Sequence, residues 1–393
     1  MSRTDYWRLP EGIDELLPPQ AERLEAQRRR LLDLYRSWGF ELVVPPFIEY
    51  LESLQLGHDL DVQTFKLTDR VSGRMLGVRA DMTPQVARID AHRLKRDVPT
   101  RLCYLGTVLH TTARDLSGSR SPLQVGAELY GHDGVQSDTE ILSLLIETLE
   151  TVGIEEVRID LGHVGIFRGL ARQAGLDEAQ EAELFDQLQR KARAEIESFV
   201  GSLDLAPAIA AMLLALVDLH GDDAVLDEAR TRLAAADPDV LAALETIGDV
   251  ATALRTQRPD VSLHFDLAEL RGYGYHTGIV FAAFTPGHGG EVAAGGRYDE
   301  IGRIFGRARP ATGFSADLRT LLRLAGNAQS TVAPGILAPA DDDAALCAEI
   351  RALRGAGERV IRTLPGQGGG AAEMGCDRQL VRLDGRWQVE TLG

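Results

Sequence analysis

Cysteine, long apolar runs and positive charge are all scarce in this chain, and each shortage removes a class of function. The three cysteines, Cys103, Cys347 and Cys376, are odd in number and widely spaced. They supply neither a disulfide framework nor the spacing of a zinc site, which points to a reducing, cytoplasmic setting. No apolar run approaches the ~20 residues that span a bilayer, and no secretory signal opens the sequence, so no membrane partner is expected. Lys and Arg number 42 against 59 Asp and Glu, for a formal net charge of −17. Phosphate backbones repel such a protein unless its basic residues gather in one patch, which disfavours tRNA or DNA as a partner. What is present is an ordinary globular composition, 44% hydrophobic and 26% charged over 393 residues. That length builds a large core with smaller attachments.

Hydrophobic spacing predicts a helix over 19–38, with Leu24, Leu31, Leu32 and Tyr35 at helical intervals. Gly39 ends it. FELVVPPFIEY (40–50) reads as a strand broken at Pro45 and Pro46. RMLGVRAD (74–81) reads as another strand, running into a helix with Thr83 as N-cap and Pro84 at the first helical position. RLCYLGTVLH (101–110) and PLQVGAELYG (122–131) form an antiparallel hairpin with a polar loop between them. A helix over 137–152 and the strand EVRIDLG follow. From 167 to 259 the composition turns to Ala, Leu, Glu and Arg, with helix starts at Asp177 and Asp237, which marks a helical insertion. Strands return at SLHFDLAEL, GYHTGIVFAAF and GGEVAAGG, then a helix over 314–324. A linker leads to a short C-terminal domain, 326–393, of mixed α and β character. Strand runs interrupted by a helical block predict an α+β fold with a mostly antiparallel sheet, its core over 1–166 and 260–325.

A period of two puts Gln124, Gly126 and Glu128 on one face of their strand and Leu123, Val125, Ala127 and Leu129 on the other. Gly126 then leaves a bare floor between two polar groups, where an ammonium or imidazole N–H could rest. The plainer reading is a half-solvated strand with polar residues facing water. In ELRGYGYHTGIVF the glycines precede an apolar strand rather than a helix, which rejects a dinucleotide fingerprint. Arg271 there carries a fork suited to a carboxylate, or else lies on a surface hairpin. GHGGEVAAGGRYDE lacks the Lys-Ser/Thr of a phosphate loop, so its glycines serve packing. Asp81 ends its strand as an ammonium acceptor or a cap. His110 has no second His or Cys at ligand spacing, so no metal is expected.

Together these strings resemble histidyl-tRNA synthetase, a class II enzyme. GFELVVPPFIEY is similar to its first motif, VRADMTP to its substrate-side turn, and GTVLH through AELYG to its second. RGYGYHTGIVF resembles one histidine-specific segment, and AAGGRYD through ATGFSADLRTLL the other together with the third motif. The resemblance runs over roughly residues 6–325. It implies a class II synthetase-like core, an antiparallel sheet flanked by helices, that dimerises through the first motif. It also implies a histidine pocket of Asp81, Thr83, Gln124, Glu128, Arg271, Tyr275 and His276, with Asp81 replacing a Glu and His276 a second Tyr.

The nucleotide side departs from that pattern. The second-motif arginine is His110, the Glu and Arg just beyond it are Thr112 and Ala113, and the third-motif arginine is Thr320. Arg319 cannot substitute, because one residue along a helix turns a side chain ~100° away. Arg114 and Arg120 remain as possible anion contacts. Losing these charges removes the main electrostatic support for adenylation. The tail from 326 onward holds seven Arg and no Lys against nine Asp and Glu, a poor reader of RNA where a synthetase carries an anticodon-binding domain. This combination resembles the regulatory subunits of ATP phosphoribosyltransferase. The resemblance implies a non-catalytic chain with no cofactor, in a hetero-oligomer with the short-form catalytic subunit. Histidine, the end product of the pathway, would be its effector. The alternatives are a divergent active synthetase and a histidine sensor acting on another protein.

Overall fold

The computed structural model describes residues 7–54, 63–113, 119–326 and 333–392. The N-terminal helix, Gln20–Ser37, buries Gln27, Leu31 and Tyr35 at the spacing of one helical face. Strand β1 (Glu41–Leu42) follows it. The prolines then divert the chain into a small antiparallel sheet of β2 (Ile48–Tyr50), β3 (Lys66–Thr68) and β4 (Met75–Val78). Next come helix Thr83–Arg88, the hairpin β5 (Thr100–Thr107) and β6 (Leu123–Tyr130), helix Val135–Val152 and β7 (Arg158–His163).

Six helices between Val164 and Gln257 form the insertion, interrupted by the two-residue β8 (His220–Gly221). Asp177 starts one of them with a full capping box to Gln180. β9 (Ser262–Asp266), β10 (Ile279–Phe284), β11 (Ala293–Arg297) and β12 (Ala311–Asp317) complete a nine-stranded sheet ordered β1-β5-β6-β12-β11-β10-β7-β9-β8. Only β1–β5 and β7–β9 pair in parallel.

The helix expected over 314–324 is a correction. Ala311–Asp317 is a strand, paired with β6 on one side and β11 on the other, and the helix starts only at Leu318. Short-range propensity favoured the helix, but two strands far off in sequence claim both edges of the segment. Asp317 makes the switch by accepting from the amides of Arg319 and Thr320, as an N-cap does.

One sheet face carries Val125, Ala127, Leu129, Phe281 and Phe314, which share a hydrophobic core with the insertion helices and with Tyr35. Phe314 meets Tyr35 edge-on at 6.4 Å. The opposite face carries the polar residues of β6, and its floor is cleared by glycine at Gly126, Gly313 and Gly296.

A second compact unit includes residues 327–393. Its sheet, ordered β14-β13-β15-β16, comprises β13 (Gly335–Ala338), β14 (Val360–Arg362), β15 (Cys376–Leu383) and β16 (Arg386–Thr391). Helix Ala344–Gly355 packs Leu346 and Ile350 onto Ile336, Ala338, Val360 and Leu380. Among the described residues no helix is long and apolar enough to cross a membrane.

Candidate functional site

Glu128 is the centre of the polar face. It is 1% exposed, so the half-solvated strand is ruled out for this position. Its cross-strand partner is Gly313, and the carboxylate leans over that glycine into the space a Cβ would fill. Tyr104 donates to Glu128 Oε1 at 2.9 Å and Thr83 Oγ1 donates to the same atom at 3.0 Å. The Tyr298 hydroxyl bonds the other oxygen, Oε2. Burial pushes the Glu128 pKa up to about 8, against the lowering effect of hydrogen bonds from Tyr298, Tyr104 and Thr83. Near neutral pH this carboxyl holds a proton in the unliganded protein.

Two expectations for this face need correction. Gly126 does not leave an empty floor, because the Tyr104 ring lies across it and a Cβ there would strike that hydroxyl. Thr83 is not a side-chain N-cap. Met82 occupies the cap position without a side-chain bond, and the Thr83 hydroxyl turns instead to Glu128 and Tyr104. The helix start is satisfied by Asp81, whose Oδ1 accepts from the Thr83 amide at 2.9 Å. Gln124 is fixed at both ends: Nε2 donates to Asp81 at 2.8 Å and Oε1 accepts from the Met82 amide at 2.9 Å.

His276 lies over Gly296, the cross-strand partner of Gly313. Adjacent cross-strand positions stand about 4.5–5.5 Å apart, so the imidazole and the Glu128 carboxyl overlook neighbouring floor positions. His276 is 4% exposed, and burial drives its pKa down to about 4, leaving the ring neutral. Nδ1 bonds the Arg271 carbonyl at 3.0 Å and must therefore carry the ring proton. Nε2 is left as an acceptor with no hydrogen-bond partner among the described residues. Tyr275 stacks on His276 at 4.2 Å and is half-exposed, while Tyr298 lies 6.4 Å from the same ring.

The structure thus brings together Thr83, Gln124, Glu128 and Asp81 on one side and Tyr275 and His276 on the other, with Tyr298 between. Arg271 joins neither cluster through its side chain. Its guanidinium faces Glu269 at 3.6 Å and Glu291 at 3.8 Å, over the Phe284 ring. Its Nη1 is buried without a hydrogen-bond partner. Tyr104 and Tyr298 are site residues that sequence reasoning missed. A bulky residue facing a glycine across a hairpin was the available signal for Tyr104, but it requires the register that pairs Tyr104 with Gly126.

At the positions expected to meet an anion, the described side chains bond to the chain itself. His110 is buried, with Nε2 bonded to the Ala80 carbonyl at 2.9 Å. Arg120, expected as an anion contact, donates to the carbonyls of His110 at 3.1 Å and Glu11 at 3.0 Å. Arg319 donates to Ser121 and to the Asp14 carbonyl at 3.0 Å. Thr320 bonds Asp317 at 2.7 Å and brings no charge. Arg114 lies outside the described residues. Away from this face, a shallow open hollow is lined by Trp38, Gly39, Arg101, Gln136, Glu140 and Gln257, with Arg101 paired to Glu140. Among the described residues no group of three His, Cys, Asp or Glu could hold a metal.

Residues 12–321 match the histidyl-tRNA synthetase family model, and residues 333–390 match that of the ATP phosphoribosyltransferase subunit HisZ C-terminal domain. An ATP phosphoribosyltransferase regulatory subunit from Thioalkalivibrio sulfidiphilus is 61% identical over 395 residues, covering 100% of both chains. The protein of that name from Alkalilimnicola ehrlichii is 59% identical, covering 98% of this chain and 96% of its own. Among solved structures, an ATP phosphoribosyltransferase regulatory subunit/histidyl-tRNA synthetase from Bacillus halodurans superposes with a TM-score of 0.84 at 27% identity, over 95% of this chain and 97% of that one. Histidyl-tRNA synthetase from Nostoc superposes with a TM-score of 0.77 at 21% identity, over 96% and 91%, a likeness of fold.

Proposed function

Because this chain belongs to the family of ATP phosphoribosyltransferase regulatory subunits in histidine biosynthesis, we propose that it catalyses nothing itself and that free histidine is the signal it reads. The observation carrying this reading is the pairing of a buried, protonated Glu128 with the lone-pair nitrogen of His276 over adjacent glycines. An imidazole that reached both, alongside Tyr298, would donate its N–H to His276 Nε2 and take a hydrogen bond from the Glu128 carboxyl at its other nitrogen. The arrangement works equally if the shared proton moves onto the ligand. Asp81, whose Oδ1 holds Gln124 and the Thr83 amide, offers its second oxygen to the ammonium group. Arg271, held only loosely by Glu269 and Glu291, supplies the fork for the carboxylate.

The occupied anion side supports a non-catalytic role. Thr320 brings no cation, the His110 ring is turned to the Ala80 carbonyl, and Arg120 and Arg319 are engaged by the chain's own carbonyls. Among the described residues, none of these four side chains offers a free guanidinium to transition-state charge on a phosphoryl group. The partner is the short-form catalytic subunit, in the reducing cytoplasm. Self-association uses the edge strand β1 and the exposed apolar residues Leu42, Val44, Phe47 and Ile48. For histidine to inhibit, it must bind better to the less active arrangement of the assembly.

Two measurements test this reading. Glu128→Ala should weaken calorimetric histidine binding by about 1–3 kcal/mol, and an unchanged affinity removes Glu128 from the site. The purified chain should raise the rate of a short-form phosphoribosyltransferase, and histidine should reverse the gain. No effect on that rate with or without histidine overturns the regulatory reading.

A further inference from the structure

The loop from Leu270 to Gly278 carries Arg271, Tyr275 and His276, and its own turn bonds hold it together with the bond from the Thr277 amide to the Arg297 carbonyl of β11. The amides of Tyr275 and His276 both donate to the Gly272 carbonyl, at 3.0 and 2.9 Å. Gly272 makes that turn possible, with φ +65° and the rings of His276 and Tyr275 crowding the space a side chain would need. The remaining support comes from elsewhere in the sequence. Arg168 Nη2 donates to the carbonyls of Tyr273 at 3.0 Å and His276 at 3.3 Å, spanning the turn. The same guanidinium stacks on the Tyr273 ring at 4.7 Å. That ring packs against Phe167 at 5.3 Å and Phe185 at 5.4 Å, and its hydroxyl donates to Glu181 at 2.5 Å. All four partners belong to the first two helices of the insertion, Val164–Gln173 and Glu178–Gln189.

We propose that Arg168 and Tyr273 are positioning residues through which the helical insertion sets the geometry of the ligand loop. The proposal rests on reading Glu128 and His276 as the two ends that grip an imidazole ring. Ordinary packing of a loop on a helix would account for the aromatic contacts. It does not account for a half-buried guanidinium directed at two loop carbonyls. Among the described residues no carboxylate lies within salt-bridge distance of Arg168, so the guanidinium is committed to the loop. One of those carbonyls belongs to His276, the residue whose ring overlooks the Glu128 position. Displacing that carbonyl rotates the backbone that aims Nε2. The insertion is therefore part of the site although it contributes no ligand contact.

The test uses the full chain and the variants Arg168→Ala, Arg168→Lys and Tyr273→Phe. In the unliganded protein, Arg168→Ala should speed hydrogen exchange at the Tyr275 and His276 amides while leaving β6 and β12 unchanged. By calorimetry it should raise the histidine Kd at least tenfold, with Arg168→Lys recovering part of the loss because an ammonium reaches only one carbonyl. Tyr273→Phe should fall between Arg168→Lys and wild type. Saturating histidine should slow exchange along Glu178–Gln189 in the wild type. Unchanged loop exchange in Arg168→Ala overturns the proposal whatever histidine does, and so does a wild-type Kd in that variant. Quickened loop exchange in a protein whose wild type binds no histidine would uphold the anchorage and sink the histidine reading instead.

Discussion

Glu128→Gln tests the buried carboxyl directly, because glutamine keeps the size and the accepting oxygen and removes the titration. Glu128 has a pKa of about 8 in the folded protein against 4.5 as a free side chain. Between those values the native state keeps a proton that the unfolded chain has released, so this group lowers stability progressively as pH rises. Below about 4.5 both states are protonated and the contribution vanishes. Above about 8 both are ionised, and the full cost of a buried carboxylate stays. At 1.36 kcal/mol per pH unit the window sets a ceiling of ~5 kcal/mol. The expected loss is on the order of 2–4 kcal/mol, since water and side-chain adjustment relieve a buried charge. Urea unfolding of both proteins at intervals from pH 5 to pH 9 isolates the effect as a difference curve. Wild type should lose stability relative to the variant up to about pH 8 and then run parallel to it. A flat difference, or one favouring wild type as pH rises, would mean that the carboxyl is already ionised at neutral pH.

Gly313→Ala should displace Glu128, because the added methyl would also lie 2.7 Å from the Ala127 carbonyl; histidine binding measured by calorimetry should fall at least tenfold, and wild-type affinity would mean the carboxylate is not needed where it sits. Arg271→Ala should relieve histidine inhibition of the assembled enzyme while leaving activation intact, and equal loss of both in a rate assay would mark Arg271 as structural. Asp138→Ala removes the bidentate partner of the buried Arg297 guanidinium, paired at 2.9 Å, but leaves Asp299 at 3.2 Å, and should cost about 1–3 kcal/mol in chemical denaturation. A loss below 1 kcal/mol would show that the remaining bonds of Arg297 suffice.

Local pattern carried much of the architecture. Alternation alone sorted Gln124 and Glu128 from Val125 and Ala127, and two strand patterns flanking a polar loop placed the hairpin. Asp177 announced its capping box. What failed were features decided by distant partners. Ala311–Asp317 became a strand because β6 and β11 both pair with it, and nothing within the segment reports that. Thr83 fitted a helix cap by residue type, yet its hydroxyl is claimed by a carboxylate 45 positions away. Tyr298 lies 170 positions from Glu128, and Arg168 lies 108 from His276, so no spacing rule links either pair. The candidate site was legible where one strand supplied it. It was obscure where loop, strand and insertion converge.

The arginines seated on Glu11 and Asp14 make the departure from the synthetase sequence pattern hard to retrace. Restoring arginine at positions 110 and 320 would place two new cations near Arg120 and Arg319, which already bond the carbonyls of Glu11 and Asp14. The ring of His110 has an acceptor of its own in Ala80, which a longer side chain would have to abandon. Like charge added there repels the two resident arginines, a cost that substitution at those two positions leaves in place.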